Sequence, residues 1–285
     1  MLNDFHFKEG GFSMKWHLKV PKILHVYWGT GSLPYLRYLT VQTFLMHNPD
    51  WQVIVWQPKY PAKVVTWDTK ELDYAQDWVD TRPQLFDLPI KQEFVDFEKF
   101  GLSNEMSEVH KSDYLRYWVL HNYGGVWSDM DILYLCQIAY LLVNKAGNSE
   151  KETFVCISPA YGHSIGFLMA AKGSIYFKQL LDVVECNPTK YQSLGADACN
   201  ANFPTLNHIN AISPAVNIGM EAVYAYDARY IRLIYGSTIN KFKLGSIGLH
   251  WFAGHQMAGK FLKDTSGGVI NIPKNVIGNV IRRLV

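Results

Sequence analysis

The sequence predicts an α/β protein built around a mostly parallel sheet, on three observations. The run Ile23-Leu24-His25-Val26-Tyr27-Trp28 reads as a buried strand, and Val53-Ile54-Val55-Trp56 reads as a second one after a helical stretch. Strand, helix and strand in such a short span make the βαβ unit of a parallel sheet. Further on, a helix expected from Ser107 to Tyr123 passes through Gly124-Gly125 into a short strand, Val126-Trp127-Ser128.

Each element follows from its residues. Residues 1–20 are polar, turn-rich and dotted with aromatics, which suits an N-terminal arm. Gly29-Thr30-Gly31 ends the first strand. Ser32 and Pro34 then start a helix whose apolar positions include Leu36, Leu39, Phe44 and Leu45. Asn48-Pro49-Asp50 stops it. Prolines at 58, 61, 83 and 89 break residues 57–105 into loops and small helices. The double glycine at 124–125 has the position of a helix C-terminal cap. Thr153 to Ile157 and Ile231 to Tyr235 read as strands, and Ile175 to Val184 as a helix. With no repeat and no linker, the 285 residues are expected to form one domain.

Composition narrows the function. Hydrophobic residues make up 48% and charged ones 18%, the balance of a globular protein with a substantial core. A net charge of +2 gives no electrostatic draw to nucleic acid. The cysteines at 136, 156, 186 and 199 form no C-x-x-C pair, which argues against a zinc or redox motif and for free thiols in a reducing compartment. The N-terminus lacks the apolar stretch of a signal peptide, and no run reaches the ~18 apolar residues of a membrane span. A cytoplasmic location is expected. The tail from Val276 to Val285 is apolar with two arginines; it suits a helix packed on the domain, or a peripheral contact with a bilayer.

The chemistry concentrates at Asp129-Met130-Asp131. Carboxylates at i and i+2 on an ideal strand point the same way, and at a strand end or turn both can reach one cation. Mg²⁺ and Mn²⁺ prefer oxygen ligands and keep positions open for substrate phosphates. Such an ion offsets the negative charge that grows on a departing diphosphate. Asp113 and Arg116, three apart, share one helix face beside this strand. They suit sugar hydroxyls and phosphates, or simply each other.

The stretch Lys111-Ser112-Asp113-Tyr114-Leu115-Arg116, followed by Tyr123-Gly124-Gly125-Val126-Trp127-Ser128-Asp129-Met130-Asp131, resembles the core motif of the DXD sugar-binding glycosyltransferases. That family includes mannosyltransferases and bacterial capsule and lipopolysaccharide enzymes, and is distantly similar to the clostridial glucosylating toxins. Pro21 to Gly29 and His47-Asn48-Pro49-Asp50-Trp51 fit the family's opening strand and helix end. The likeness is firm over residues 21–56 and 107–135 and thin elsewhere.

The resemblance implies a GT-A fold and a nucleotide-sugar donor bound over the carboxyl ends of the strands. It implies that Trp28 stacks on the base, and that Asp113 and Arg116 contact the sugar or ribose and the phosphates. Trp127 would lie near the donor. Asp129 would touch ribose and metal-bound water, and Asp131 would ligate Mn²⁺ or Mg²⁺ directly. Leu249 to Gln256 is similar to a C-terminal metal-binding segment of relatives, with His250 and His255 as candidate ligands. Gln256 departs from the family's tryptophan, which puts closure over the diphosphate in doubt. UDP-sugar is favoured as donor and GDP-mannose comes second; the acceptor would be a glycan, a lipid-linked sugar or a protein, with 57–105 as an acceptor-side insertion. Retention of configuration is implied by the resemblance alone. A catalytically degenerate sugar- or nucleotide-binding protein is the competing reading. A phosphoryl-transfer enzyme is disfavoured because no G-x-x-x-x-G-K-[ST] loop occurs.

Overall fold

A seven-stranded sheet forms the frame. Its strands are β1 (Ile23–Tyr27), β2 (Gln52–Pro58), β3 (Lys91–Val95), β4 (Gly125–Ser128), β6 (Thr153–Ser158), β7 (Gly162–Ala170) and β8 (Ala215–Asn217). They lie side by side in the order β3-β2-β1-β4-β7-β6-β8. The computed structural model describes residues 19–29, 31–62, 79–142, 150–184, 190, 192–238, 242, 245–265 and 272–284. Most of the expected N-terminal arm lies outside the described residues, as do residues 63–78 of the expected insertion and Cys186.

The sheet is mostly parallel, as expected. β1 pairs with β2 and β4, β2 with β3, and β6 with β8, all in parallel; β7 runs antiparallel between β4 and β6. Side chains alternate across it. Leu24, Val26, Val53, Val55 and Val126 join one core cluster with Val41 and Phe44 of α1 (Tyr35–His47). Tyr27, Ile54, Trp56 and Trp127 join another with Leu115 and Val119 of α3 (Glu108–Asn122). Helices thus cover both faces.

The order of connection positions the site. From β1 the chain moves outward through α1 to β2 and β3, past the short α2 (Arg82–Phe86), then returns through α3 to β4 on the other side of β1. The carboxyl ends of β1 and β4 therefore lie at a topological switch point, where open α/β sheets form their ligand crevice.

Gly124 and Gly125 make the α3–β4 junction possible. Both have positive φ (68° and 101°), and a Cβ on Gly125 would lie 2.5 Å from the Ile23 carbonyl oxygen. The pair is more than a helix cap: it seats β4 against β1. Ser107 caps the other end of α3, its side chain accepting from the His110 N–H.

A second, two-stranded sheet pairs β5 (Ile132–Tyr134) with β9 (Gly248–His250) in antiparallel fashion. Behind it pack α7 (Ile231–Gly236), α8 (Gln256–Asp264) and α9 (Val276–Leu284), sharing a core of Leu133, Ile234, Leu249, Trp251, Phe261, Ile277 and Ile281. Among the described residues, the remaining α-helices are α4 (Ile175–Val183), α5 (Ala196–Asn202) and α6 (Leu206–Asn210).

Two expectations need correction, and the tail takes the first of its two readings. Ile231 to Tyr235 is helix, not strand: Asp227 caps the 3-10 turn Ala228–Tyr230 that leads into it, and Ile231 and Ile234 are buried one helical turn apart. Part of the 57–105 stretch belongs to the main sheet as β3, whose mostly exposed Lys91-Gln92-Glu93-Phe94 hides a strand behind polar residues. The apolar face of the tail helix α9 is covered by protein rather than by a bilayer, since Val276, Ile277, Val280 and Ile281 are buried. Among the described residues, no helix is long and apolar enough to cross a membrane.

Candidate active site

Asp129-Met130-Asp131 forms the turn between β4 and β5, at the switch point. The two carboxylates sit in this turn rather than along a strand, each held by its own set of partners. Asp129 follows the α3 face: its Oδ1 accepts from Trp127 Nε1 at 2.9 Å and lies 3.4 Å from Arg116 Nη1. Its backbone N–H donates to the Gly166 carbonyl at 2.7 Å. Gly166 is small for a reason, because a Cβ there would lie 2.7 Å from the Tyr224 hydroxyl and 3.0 Å from Asp129 Oδ2.

Asp131 faces β9. The Trp251 N–H donates to its carbonyl at 2.9 Å, and the Ala253 N–H to its Oδ2 at 3.0 Å. Nε2 of His250 approaches Oδ1 to 3.0 Å, an ion-pair distance without hydrogen-bond alignment, so this buried oxygen has no aligned donor among the described residues. Burial alone would raise the Asp131 pKa. The facing His250, the charge of Arg37 and the Ala253 N–H more than offset it and hold the carboxylate ionised, below its ordinary range.

His250 is wedged between Tyr224 and Phe252, with ring centroids 4.8 and 4.5 Å away. Phe252 has φ of 55°, the left-handed region that a bulky residue rarely occupies, and its N–H donates to His250 Nδ1 at 3.2 Å. That contact leaves the proton of the neutral imidazole on Nε2, toward Asp131. For Nε2 to ligate a cation, the proton must pass to Nδ1 and the Phe252 N–H must turn away. Ligation through Nε2 would therefore require the turn at Phe252 to move.

Asp129, Asp131 and His250 each offer a ligand atom, and these atoms lie within 4.8 Å of one another. Two carboxylates, one imidazole and an orphaned buried oxygen fit a divalent cation of the Mn²⁺ type. His255 does not join them. It caps α8, its Nδ1 accepting from the Met257 N–H at 3.2 Å.

Asp113 and Arg116 are both nearly buried and paired at 2.6 Å. Arg116 also donates to the Ile165 carbonyl at 2.7 Å and lies over the Trp127 ring at 5.2 Å. Burial pushes Asp113 up to about 7; Arg116 works against that rise and the Asp129 charge adds to it. Burial opposes the charge of Arg116, and Asp129 and Asp113 more than restore it. The two readings of the Asp113–Arg116 spacing merge: the pair is internal and also forms part of the cavity wall.

The cavity, about 160 Å³, is lined by these groups together with Tyr27, Ser112, Gln192, Ala253 and Arg37. Trp127 is fully buried and works through its bond to Asp129. Trp28, expected to stack on a base, is instead 3% exposed, with Arg37 over its ring at 5.0 Å. It belongs to the core at the end of β1 rather than to the cavity wall.

Sequence reasoning missed Arg37 and Tyr224. Arg37 stands out in retrospect as a charged residue on the buried face of α1, between Leu36 and Leu39. Tyr224 carries no motif; its hydroxyl accepts from the Gly166 N–H at 3.1 Å, which places it only in three dimensions.

The profile of the glycosyltransferase sugar-binding region containing the DXD motif matches residues 35–151, the segment that spans α1, α3 and Asp129-Met130-Asp131. Over those residues the chain is similar to this glycosyltransferase family. A search of curated proteins found no match. Several solved glycosyltransferases are similar in structure. PaToxG glycosyltransferase is 16% identical, with 67% of this chain and 73% of that one covered, at a TM-score of 0.46. The apo form of GlyE from Streptococcus pneumoniae TIGR4 is 13% identical over 93% and 60% of the two chains, at 0.47. An active-site mutant of LgtC is 14% identical over 81% and 87%, at 0.40.

Proposed function

We propose that this glycosyltransferase is metal-dependent and uses a nucleotide-sugar donor. Asp131 and His250, with Asp129 beside them, would hold Mn²⁺ or Mg²⁺. The observation that carries this reading is the grouping of these three residues within 4.8 Å at the sheet's switch point, with both aspartates lining the cavity beside Arg37 and Arg116. When bound, the ion supplies positive charge against the departing diphosphate. The chain's own residues do the rest. Trp127 and Arg116 orient Asp129, the Ala253 N–H fixes Asp131, and Asp113 offers a carboxyl oxygen toward donor hydroxyls from the cavity wall.

Retention, with attack on the face from which the diphosphate leaves and no enzyme nucleophile, is the stereochemical course we propose from the family resemblance. Both UDP- and GDP-sugars remain candidate donors, because Trp28 in the core gives no reason to prefer uridine. The acceptor, a glycan, a lipid-linked sugar or a protein, would enter past the segment that follows residues 63–78. Asp80 and Thr81 fasten that segment to Leu33 in the loop after β1, with bonds of 2.8 to 3.0 Å.

A thermal-shift panel of nucleotide sugars with and without Mn²⁺ tests the proposal, since a bound donor stabilises the fold by mass action. One nucleotide class should raise the melting temperature only with metal, and Asp131→Ala should abolish the shift. Donor turnover that persists without metal after removal of both carboxylates would contradict it. The degenerate binding-protein reading predicts the shift without any turnover.

A further inference from the structure

We propose that Tyr224 is a positioning residue of the cation site, its ring setting the His250 imidazole and its hydroxyl steadying Asp129. The inference rests on reading Asp129, Asp131 and His250 as that site. Tyr224 is buried and joins the two sheets. A β-bridge sets it opposite Leu249 of β9, and the His250 N–H donates to the neighbouring Val223 carbonyl at 2.7 Å. At the other end its hydroxyl accepts from the Gly166 N–H of β7 at 3.1 Å. One side chain thus reaches from the small sheet to the main one, and meets a different candidate ligand with its ring and with its hydroxyl.

The ring meets His250 at 4.8 Å between centroids, with 35° between the planes, and Phe252 at 4.5 Å completes the wedge that limits the imidazole's rotation. The hydroxyl meets Asp129. A Cβ on Gly166 would lie 2.7 Å from the Tyr224 hydroxyl and 3.0 Å from Asp129 Oδ2, so the two oxygens are less than ~6 Å apart, a gap that one water spans. Gly166 holds both partners, since its carbonyl accepts from the Asp129 N–H at 2.7 Å. Asp129 Oδ1 is committed to Trp127 Nε1 at 2.9 Å, which leaves Oδ2 beside Tyr224. The phenol proton has no acceptor among the described residues. A buried donor without an acceptor is costly, and phenylalanine would fill the same space without it. Asp129 Oδ2, directly or through one water, is the acceptor within reach. Outer hydrogen bonds of this kind fix the orientation of metal-binding carboxylates.

The test is the Mn²⁺ affinity of the full chain without nucleotide, read by water-proton relaxation, in wild type and in Tyr224→Phe, which keeps the ring. The same substitution is made in the Asp129→Ala background, where Asp131 and His250 leave a weaker site. Affinity should fall roughly 10-fold or more in the first comparison, the usual effect of losing an outer hydrogen bond to a ligand, and less than about 2-fold in the second. Tyr224→Leu, which removes the ring as well, should lose more, and it takes the place of Tyr224→Phe if that protein fails to fold. A folded Tyr224→Phe with wild-type affinity overturns the role of the hydroxyl. An equal loss in both backgrounds makes the hydroxyl structural and overturns it too. A Tyr224→Leu loss no larger than that of Tyr224→Phe overturns the role of the ring. Wild type that binds no Mn²⁺ overturns the cation site and this inference together.

Discussion

Asp131 and His250 face each other at 3.0 Å because the antiparallel register of β5 and β9 sets Ile132 opposite His250. One residue before Ile132 is the DXD carboxylate, so the small sheet delivers an imidazole from the C-terminal part of the chain to a motif in its middle. His255, five residues further on, has left that register and caps a helix.

The two histidines should therefore respond oppositely. His250→Ala is expected to weaken Mn²⁺ binding by at least ~10-fold, as loss of a ligand does. His255→Ala should leave metal affinity unchanged and cost about 1 kcal/mol of stability, the ordinary loss of an N-cap. Manganese titration and urea denaturation of both variants check this; metal loss on changing His255 alone would reverse the assignment.

Gly166→Ala should impair turnover without unfolding the protein. The added methyl meets Asp129 Oδ2 and the Tyr224 hydroxyl, side-chain atoms that can shift, but the shift moves the carboxylate out of place. A drop in kcat of about tenfold or more is expected, since misplacing a catalytic group by about an ångström is costly. Wild-type turnover in a folded Gly166→Ala protein would show that Asp129 need not be held where it is.

Gly125→Ala should act on the fold instead. With φ of 101° and the Ile23 carbonyl 2.5 Å from the new Cβ, backbone rather than side chain must yield. We expect a loss of ~3 kcal/mol or more, combining left-handed strain with the clash. Chemical denaturation measures it directly.

The parts of this site that were legible in the sequence are local ones. β1-α1-β2 and α3 through Asp131 announce themselves because apolar runs, caps and the double glycine all act on near neighbours. Residues 231–235 misled because a short apolar run fits a strand or a buried helix equally well, and a preceding capped turn decides between them. β3 was hidden by its exposure at the sheet edge. The grouping of Arg37, Tyr224 and His250 around Asp131 depends on how the two sheets and α1 come together, which no local pattern encodes. The burial of Trp28 has the same origin: the end of a strand looks alike whether it faces a crevice or an arginine.

His25 makes the fold sensitive to acid. It is fully buried on β1; Trp56 Nε1 donates to its Nδ1 at 3.1 Å and its Nε2 contacts the Gly124 carbonyl at 2.9 Å. Both ring nitrogens are satisfied only in the neutral form, because a protonated ring would set Nδ1–H against the Trp56 N–H. Burial lowers its pKa to about 4, against 6.5 when unfolded. The unfolded chain thus binds the proton first, so stability from this residue is complete above pH 6.5 and is lost as pH falls toward 4. The loss reaches about 2 kcal/mol by about pH 5. Urea midpoints of wild type and His25→Gln across that range check it; the variant should show the flatter profile, and equal profiles would exclude His25 as the cause.

The most direct test of the cation site is anomalous diffraction at the manganese edge from a crystal grown with Mn²⁺ and the nucleoside diphosphate selected by the thermal-shift panel. The expected result is one anomalous peak within bonding distance of Asp131 and His250 and of a diphosphate oxygen, with Asp129 alongside and the turn at Phe252 rearranged. A bound diphosphate with no metal peak there, and Asp129 and Asp131 still engaged with Trp127 and Ala253, would contradict a metal-dependent transfer.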